Sequence, residues 1–457
     1  MIDGKPQRHA RSLGGVALVA VVATLAGFGD GGSAGSSTAA GRKAPTLAVY
    51  GLEISHNEEK AARVKLAASA LKPATVSIPD GGFNAETFLG GIGAGHVPDV
   101  VYLDRRDVVA ALAAKGAIKP LTSCVDSERI DLKQFRQATL DEVTYRRRLY
   151  ALPEFTNEVT LIVNDAAVRD AGLKRSDIQT SDWPALLATA TRLTKRTGGG
   201  IDRLGFDPQL PQLFPLWAKA NGADLLGKDG LHAHLDDSKA VEALEYTKSL
   251  IDVQGGWSAL KAAQATFDFF GARNPWVADQ VGAVPLPSGF FWYVLARNSP
   301  DAEVRAVPFK ARNGKTITFF SGPGWAIPTR AKHPVLACRF IKTMTSVKAW
   351  IVNARVRAST ARRGGYAFSP IPTGNRPADA RIHRELYKSM SPRFDAAAKL
   401  LLKVQDDAFV IPPSPAAAEI RQALDNAINR VLTGAQSPRQ ALEQAQREAQ
   451  AAIAAAS

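Results

Sequence analysis

The sequence is poor in cysteine, in long apolar runs and in the usual signatures of catalysis. Two cysteines among 457 residues exclude a disulfide-built miniprotein. No apolar stretch approaches the roughly 20 residues of a membrane-crossing helix, which excludes a polytopic membrane protein. H-E-x-x-H is missing, G-x-S-x-G occurs only as Gly31-Gly32-Ser33-Ala34-Gly35 in a Gly/Ser/Ala-rich stretch, and Ser321 lacks the first glycine of that motif. His232 and His234 would share one face of a strand, yet no cysteine or carboxylate pattern completes a metal site; exposed loop histidines after Gly230 are expected. Gly198, Gly199 and Gly200 lack a following Lys-Ser/Thr and read as a loop, not a phosphate cradle. No metal and no cofactor are expected.

Basic residues are plentiful, 57 Lys and Arg against 43 Asp and Glu for a net charge of +14. They are dispersed as short clusters such as Arg146–Arg148, without the basic tract of a nucleic-acid-binding tail, so a solvated basic surface is the default. A composition of 46% hydrophobic and 22% charged residues excludes collagen and a largely disordered chain. The length is too great for one compact core and fits roughly two to four domains or two lobes.

The first forty residues do not read as fold. Lys5, Arg8 and Arg11 precede the apolar Val16–Ala26, and Gly, Ser and Ala then dominate to Gly41. Residues 1–28 are expected to be a signal peptide and 29–44 a flexible tether, so the protein is expected outside the cytoplasmic membrane. Nucleic acid is then not an expected partner. Leu25-Ala26-Gly27 resembles the start of a bacterial lipobox, but Phe28 stands where the lipidated cysteine belongs. The chain is released, held by an uncleaved apolar segment, or one substitution away from its lipoprotein relatives. About +13 of net charge remains after this segment.

Beyond the tether, strand and helix signals alternate. Thr46–Tyr50 and Val100–Leu103 read as buried strands, and Arg105–Lys115 as a helix stopped by Gly116. Thr160–Val163 is a third strand, and Trp183–Leu193 a helix capped by Ser181 or Asp182. Lys239–Ile251 is helical, as is Pro415–Leu432 behind Ser414. Ser437-Pro438-Arg439-Gln440 forms a capping box that opens the last helix. This alternation predicts an α/β protein, not a sandwich or a bundle.

Eight segments in sequence carry a resemblance. They are PDVVYLDRRDVVAALAAKGAIKPLT (98–122), ALPEFTNEVTLIVNDAAVRDAGL (151–173), SDWPALLATATRLT (181–194), LWAKANGADLLGKDG (216–230), SKAVEALEYTKSLID (238–252), SGPGWAIPTRAKHPVLACRFIKTM (321–344), SPIPTG (369–374) and SPRQALEQAQREAQAAI (437–453). Their order resembles the family 1 extracellular solute-binding proteins, the sugar-binding subunits of bacterial ABC importers, and in particular actinobacterial-type sugar-binding lipoproteins. The resemblance implies a bilobal periplasmic-binding-protein type II fold, maltose-binding-protein-like, whose two discontinuous lobes close about a hinge onto ligand. Lobe 1 would be 45–153 plus about 300–348, and lobe 2 would be 154–299 plus about 349–457.

A sugar presents hydroxyls and a weakly apolar face, so its site needs an aromatic platform and planar polar groups. Of seven tryptophans, Trp217, Trp276 and Trp325 fall in expected loops; core packing is the default for any one of them, and Trp276 and Trp325 depart from it because they follow Pro/Gly-rich turns where the family contacts ligand. Trp292-Tyr293 lies in GFFWYV, and Trp183 is expected to pack at a helix start. Asp104 ends a strand where open α/β sheets present ligand groups, and Glu53 follows the first strand with the same logic. Glu154 and Asn157 lie near the expected lobe crossover, and Asn274 precedes Pro275-Trp276. Gly322 and Gly324 would let backbone N–H groups approach ligand. Tyr366 and Arg376 flank the Pro-Thr-Gly segment. Asp104 could equally cap the following helix and Asn274 could be a turn residue.

Cys124 and Cys338 lie 214 positions apart; an exported compartment permits a disulfide and both fall in the expected first lobe, but Cys338 sits in an expected helix as a buried thiol would, so two free thiols are slightly favoured over a bridge. The expected activity is capture, not catalysis. The protein would bind a mono- or disaccharide, an amino sugar or a glycerophosphodiester as a monomer and deliver it to ABC permease subunits. The alternatives are a secreted carbohydrate-active hydrolase and a sensing binder of the same fold.

Overall fold

Residues 44–457 are described by the computed structural model. The expected signal peptide, and the tether up to Lys43, lie outside the described residues.

The first sheet starts with three parallel strands, Thr75–Ser77, Thr46–Tyr50 and Val100–Leu103 in spatial order. Gly324–Ala326 then inserts antiparallel between Val100–Leu103 and Ala151–Pro153. All four residues of Val100–Leu103 are buried, as a parallel strand covered on both faces requires. Leu47, Val100, Trp325 and Phe340 pack on one face of this sheet, and Val101, Leu103, Leu112 and Ala326 on the other.

The second sheet is organised around Asn157–Asn164. Thr318–Ser321 and Val304–Val307 pair antiparallel along one of its edges in succession, and Val281–Pro287 pairs along the other. Gly200–Phe206 and Lys195–Thr197 extend the sheet beyond Val281–Pro287, and Ala408–Phe409 flanks Thr318–Ser321. The largest core cluster packs here, with Trp183, Leu186 and Leu193 from the helix Trp183–Leu193 and Ile420, Leu424 and Ile428 from Ala417–Leu432.

Local signals set most helix ends. Asp182 accepts the amide of Ala185 to open Trp183–Leu193, and Ser437 with Gln440 forms the expected capping box of Pro438–Ala456. Two expectations shift. Arg105–Lys115 is a 3-10 turn, Arg106–Val108, followed by the helix Val109–Ala114. The helix expected from Pro415 starts at Ala417, because the Ser414 hydroxyl accepts only the amide of Ala416 and leaves the N-cap position to Ala416.

Sheet membership and helix packing also move two lobe boundaries. Val304–Val307 and Thr318–Ser321 belong to the second sheet, so the chain returns to the first sheet at Gly324, not at about residue 300. The helix Val347–Arg363 packs on Glu58–Ala70, where Arg357 and Arg363 pair with Glu59 and Glu58. It therefore sits with the first sheet, although it follows the expected switch at about 349.

Cys124 and Cys338 form a disulfide, contrary to the expectation of free thiols. The short helix Thr122–Ser127 and the helix Pro334–Met344 pack into the same face of the first sheet and bring the two Cα atoms to 5.6 Å. That is within bridging span. The sequence separation concealed it, because the pairing depends on Gly324–Ala326 entering a sheet begun almost 280 residues earlier. Among the described residues, no helix is long and apolar enough to cross a membrane.

Candidate functional site: the cleft between the sheets

A cleft of about 980 Å³ opens where the chain crosses between the two sheets. Its floor is the crossover itself, with Glu154 to Asn157 on one connection and Gly322-Pro323 on the other. One wall combines Asp104, at the end of Val100–Leu103, with the start of Glu58–Ala70. It also includes the helix Val347–Arg363, whose Trp350, Asn353, Arg357 and Thr360 recur at three- and four-residue spacing. The opposite wall is the helix Ser288–Asn298, which lends Gly289, Tyr293 and Arg297 at four-residue intervals.

Gly322 is required by close approach. A Cβ there would lie 2.1 Å from the Phe155 carbonyl oxygen and 2.5 Å from Nη1 of Arg106. That guanidinium donates to the Phe155 carbonyl at 2.9 Å and to the Pro323 carbonyl at 3.1 Å, so one buried arginine fastens both connections.

Several expected contact residues line the cleft: Asp104, Glu154, Asn157, Gly322 and Tyr366. Their states differ. Asp104 and Asn157 make no side-chain hydrogen bond or ion pair among the described residues, so both are open to ligand. Glu154 is committed: Arg63 Nη1 lies 2.5 Å from Oε1, Nη2 lies 3.0 Å from Oε2, and the indole N–H of Trp325 donates to Oε2. The Arg63 guanidinium lies 3.9 Å from the ring of Trp350, so Glu154 helps to fix that ring at the cleft wall.

The expected tryptophan platforms are core residues. Trp217 is fully buried and donates to the Pro208 carbonyl; Trp325 is fully buried within the first sheet; Trp276 is 4% exposed and packs edge-on against Phe269. Strand pairing on both sides of Trp325 explains the reversal, since a Pro/Gly-rich neighbourhood there marks the crossover and not an exposed loop. Asn274 is also interior, with its amide given to Gly271 and Ser299. Gly324 lies inside its strand, and Glu53 is an exposed residue outside the cleft whose carbonyl accepts from Lys60. Arg376 pairs with Asp406 away from the cleft, and His232 pairs with Asp229 at an exposed turn.

Three groups of cleft residues were not legible as such in the sequence. Tyr293 and Phe155 join the expected Tyr366 as the accessible aromatic rings, whereas Tyr102 and Trp350 border the cleft but are buried. Asn353 is 6% exposed and forms no side-chain hydrogen bond among the described residues, an uncommitted amide inside a helix. Arg297 and Arg357 flank the tyrosines. The four-residue spacing of Tyr293 and Arg297 was the one available signal.

Two sheets joined by crossing connections, with uncommitted polar groups and rings gathered where they meet, define a bilobal ligand-binding protein. The chain belongs to the bacterial extracellular solute-binding protein family, whose model matches residues 72–349. Solved structures agree on the fold. A protein designated CpMnBP1 with mannotriose bound is 23% identical, covers 89% of this chain and 100% of its own, and superposes with a TM-score of 0.70. The ABC transporter solute-binding protein of Thermotoga lettingae bound with α-D-tagatose is 19% identical over 90% of this chain and 100% of its own, at 0.64. Maltose-bound MalE3 of T. maritima is 18% identical over 89% and 99%, at 0.65. A search of curated protein sequences gives no match.

Proposed function

We propose that the protein captures a carbohydrate or related polyol in this cleft outside the cytoplasmic membrane and delivers it to the transmembrane subunits of an ABC importer, without transforming it. The observation that carries the reading is the uncommitted polar set, Asp104, Asn157 and Asn353, beside the accessible rings of Tyr293 and Tyr366. Carboxylate and amide groups without internal partners suit hydroxyls that both donate and accept, and a phenol face suits the C–H face of a pyranose. Wall residues drawn from both lobes suit hinge closure around a bound ligand.

A thermal-shift screen over mono-, di- and amino sugars and glycerophosphodiesters tests the reading, because a ligand bound only by the native state raises its apparent stability. A sugar that raises Tm and is recovered intact supports capture. Cleavage products from the same incubation would replace capture with hydrolysis.

A further inference from the structure

Pairing off the cleft's charged side chains leaves an excess of donors at one end. Glu154 is consumed by Arg63 and Trp325. Glu58 pairs with Arg363 at 2.8 Å, and both Glu59 oxygens accept from Nη1 of Arg357 at 3.3 Å, which leaves Nη2 of Arg357 unspent. Arg297 has no carboxylate partner among the described residues. Its guanidinium lies 5.2 Å from the centre of the Tyr366 ring, and its Nη1 is 3.4 Å from the Tyr293 hydroxyl. Arg357 lies 4.2 Å from the centre of the Tyr293 ring, and its Nε donates to the Ser369 carbonyl. The two tyrosine rings meet edge-on at 6.2 Å.

These four side chains form one block, two guanidinium groups set against two phenol rings, spanning the walls of the cleft. A guanidinium stacked on a ring keeps its in-plane N–H groups free for bidentate bonds, and it has no acceptor of its own. Arg297 is exposed to the cleft with Nε and Nη2 unspent. A neutral sugar rim accepts from such a block with single uncharged hydroxyl oxygens, whereas a carboxylate or phosphate offers paired, charged acceptors in the matching fork geometry. The uncommitted acceptors Asp104, Asn157 and Asn353 belong to the floor and to the wall opposite Arg297.

We propose, resting on the capture reading, that the cleft selects a carbohydrate or polyol bearing an oxyanion. Arg297 and Arg357 hold the charged group, and Asp104, Asn157 and Asn353 hold the hydroxyls.

Isothermal titration with matched pairs tests this: glucose against glucuronate, glucose against glucose 6-phosphate, and glycerol against glycerol 3-phosphate, with inorganic phosphate alone as a further probe. The carboxylate and phosphate arms identify which oxyanion is preferred. The expected result is that one anionic member binds at least about ten-fold more tightly than its neutral partner, as charge-assisted bonds would give. Arg297→Gln should abolish that preference by bringing the anionic member's affinity down to that of its neutral partner; Arg297 is exposed, so the variant should fold. Equal or tighter binding of every neutral member, or a preference surviving in Arg297→Gln, would overturn the oxyanion assignment and leave capture standing. Inorganic phosphate binding as tightly as the phosphorylated sugars would overturn the carbohydrate half of the assignment. If these compounds and neutral disaccharides all fail to bind, the capture reading itself falls.

Discussion

Arg63 and Glu154 face each other across 2.5 Å with side chains only 1% and 2% exposed. The pair joins the helix Glu58–Ala70 to the crossover below the cleft, and Arg63 also donates to the Met344 carbonyl. A buried pair of this kind is strongly sensitive to loss of one member, because the other charge remains without compensation. Arg63→Ala is expected to destabilise the protein by about 3–5 kcal/mol, read by denaturant unfolding. Glu154, which the sequence suggested as a ligand contact, should behave likewise: Glu154→Ala should lower the unfolding midpoint before it shows any specific loss of affinity.

The tryptophans follow the same reversal. Trp276→Ala and Trp325→Ala each empty a packed site and should cost about 3–5 kcal/mol, as large aromatic deletions do. Tyr293→Ala and Tyr366→Ala remove accessible rings. They should weaken sugar binding roughly 3- to 10-fold, corresponding to about 0.5–1.5 kcal/mol, with little change in Tm. Unfolding and titration measured on all four variants decide which aromatic set meets ligand.

Asn353→Ala separates binding from stability at a buried position. Its amide supports no internal bond, so the variant should unfold within about 1 kcal/mol of the parent while losing affinity. Retained affinity with a lowered stability would show that the amide serves packing alone.

Glu158 predicts a pH dependence. It is fully buried on the crossover strand, it accepts from Thr156, and its Oε2 has no partner among the described residues. Burial drives its carboxyl up to about 7, helped by the neighbouring Asp379 and opposed by the Thr156 hydroxyl and Arg136. The folded state thus holds this proton when the unfolded state, with its carboxyl near 4.3, has released it. By linkage, its contribution is fully present below about pH 4 and is lost as pH rises towards 7. Glu158→Gln should remove that decline, visible as a flatter plot of unfolding free energy against pH from about 4.5 to 7.

What the sequence disclosed was local. Asp182 before an apolar stripe and Ser437 with Gln440 define their helices without reference to the rest of the chain. Asp104 at the end of a strand was legible because α/β sheets present ligand groups there. Apart from two helix starts, the errors were tertiary. Trp325 and Cys338 lie in a segment whose partners are Val100–Leu103, Ala151–Pro153 and the helix around Cys124, and nothing near them in sequence announces that. Asn353 escaped notice because a polar residue in a helix ordinarily faces water, whereas this helix turns one stripe into the cleft.

The place of Gly324–Ala326 in the first sheet has a consequence for biosynthesis. This strand is the bridge between Val100–Leu103 and Ala151–Pro153, so a nascent chain of about 300 residues owns four of the five strands but cannot join Ala151–Pro153 to the other three. The connecting strand is still unsynthesised, as is Cys338, the partner of Cys124. The lobe that begins first must therefore wait for the one encoded inside it, and the polypeptide stays without a continuous first sheet until nearly three-quarters of it has been made.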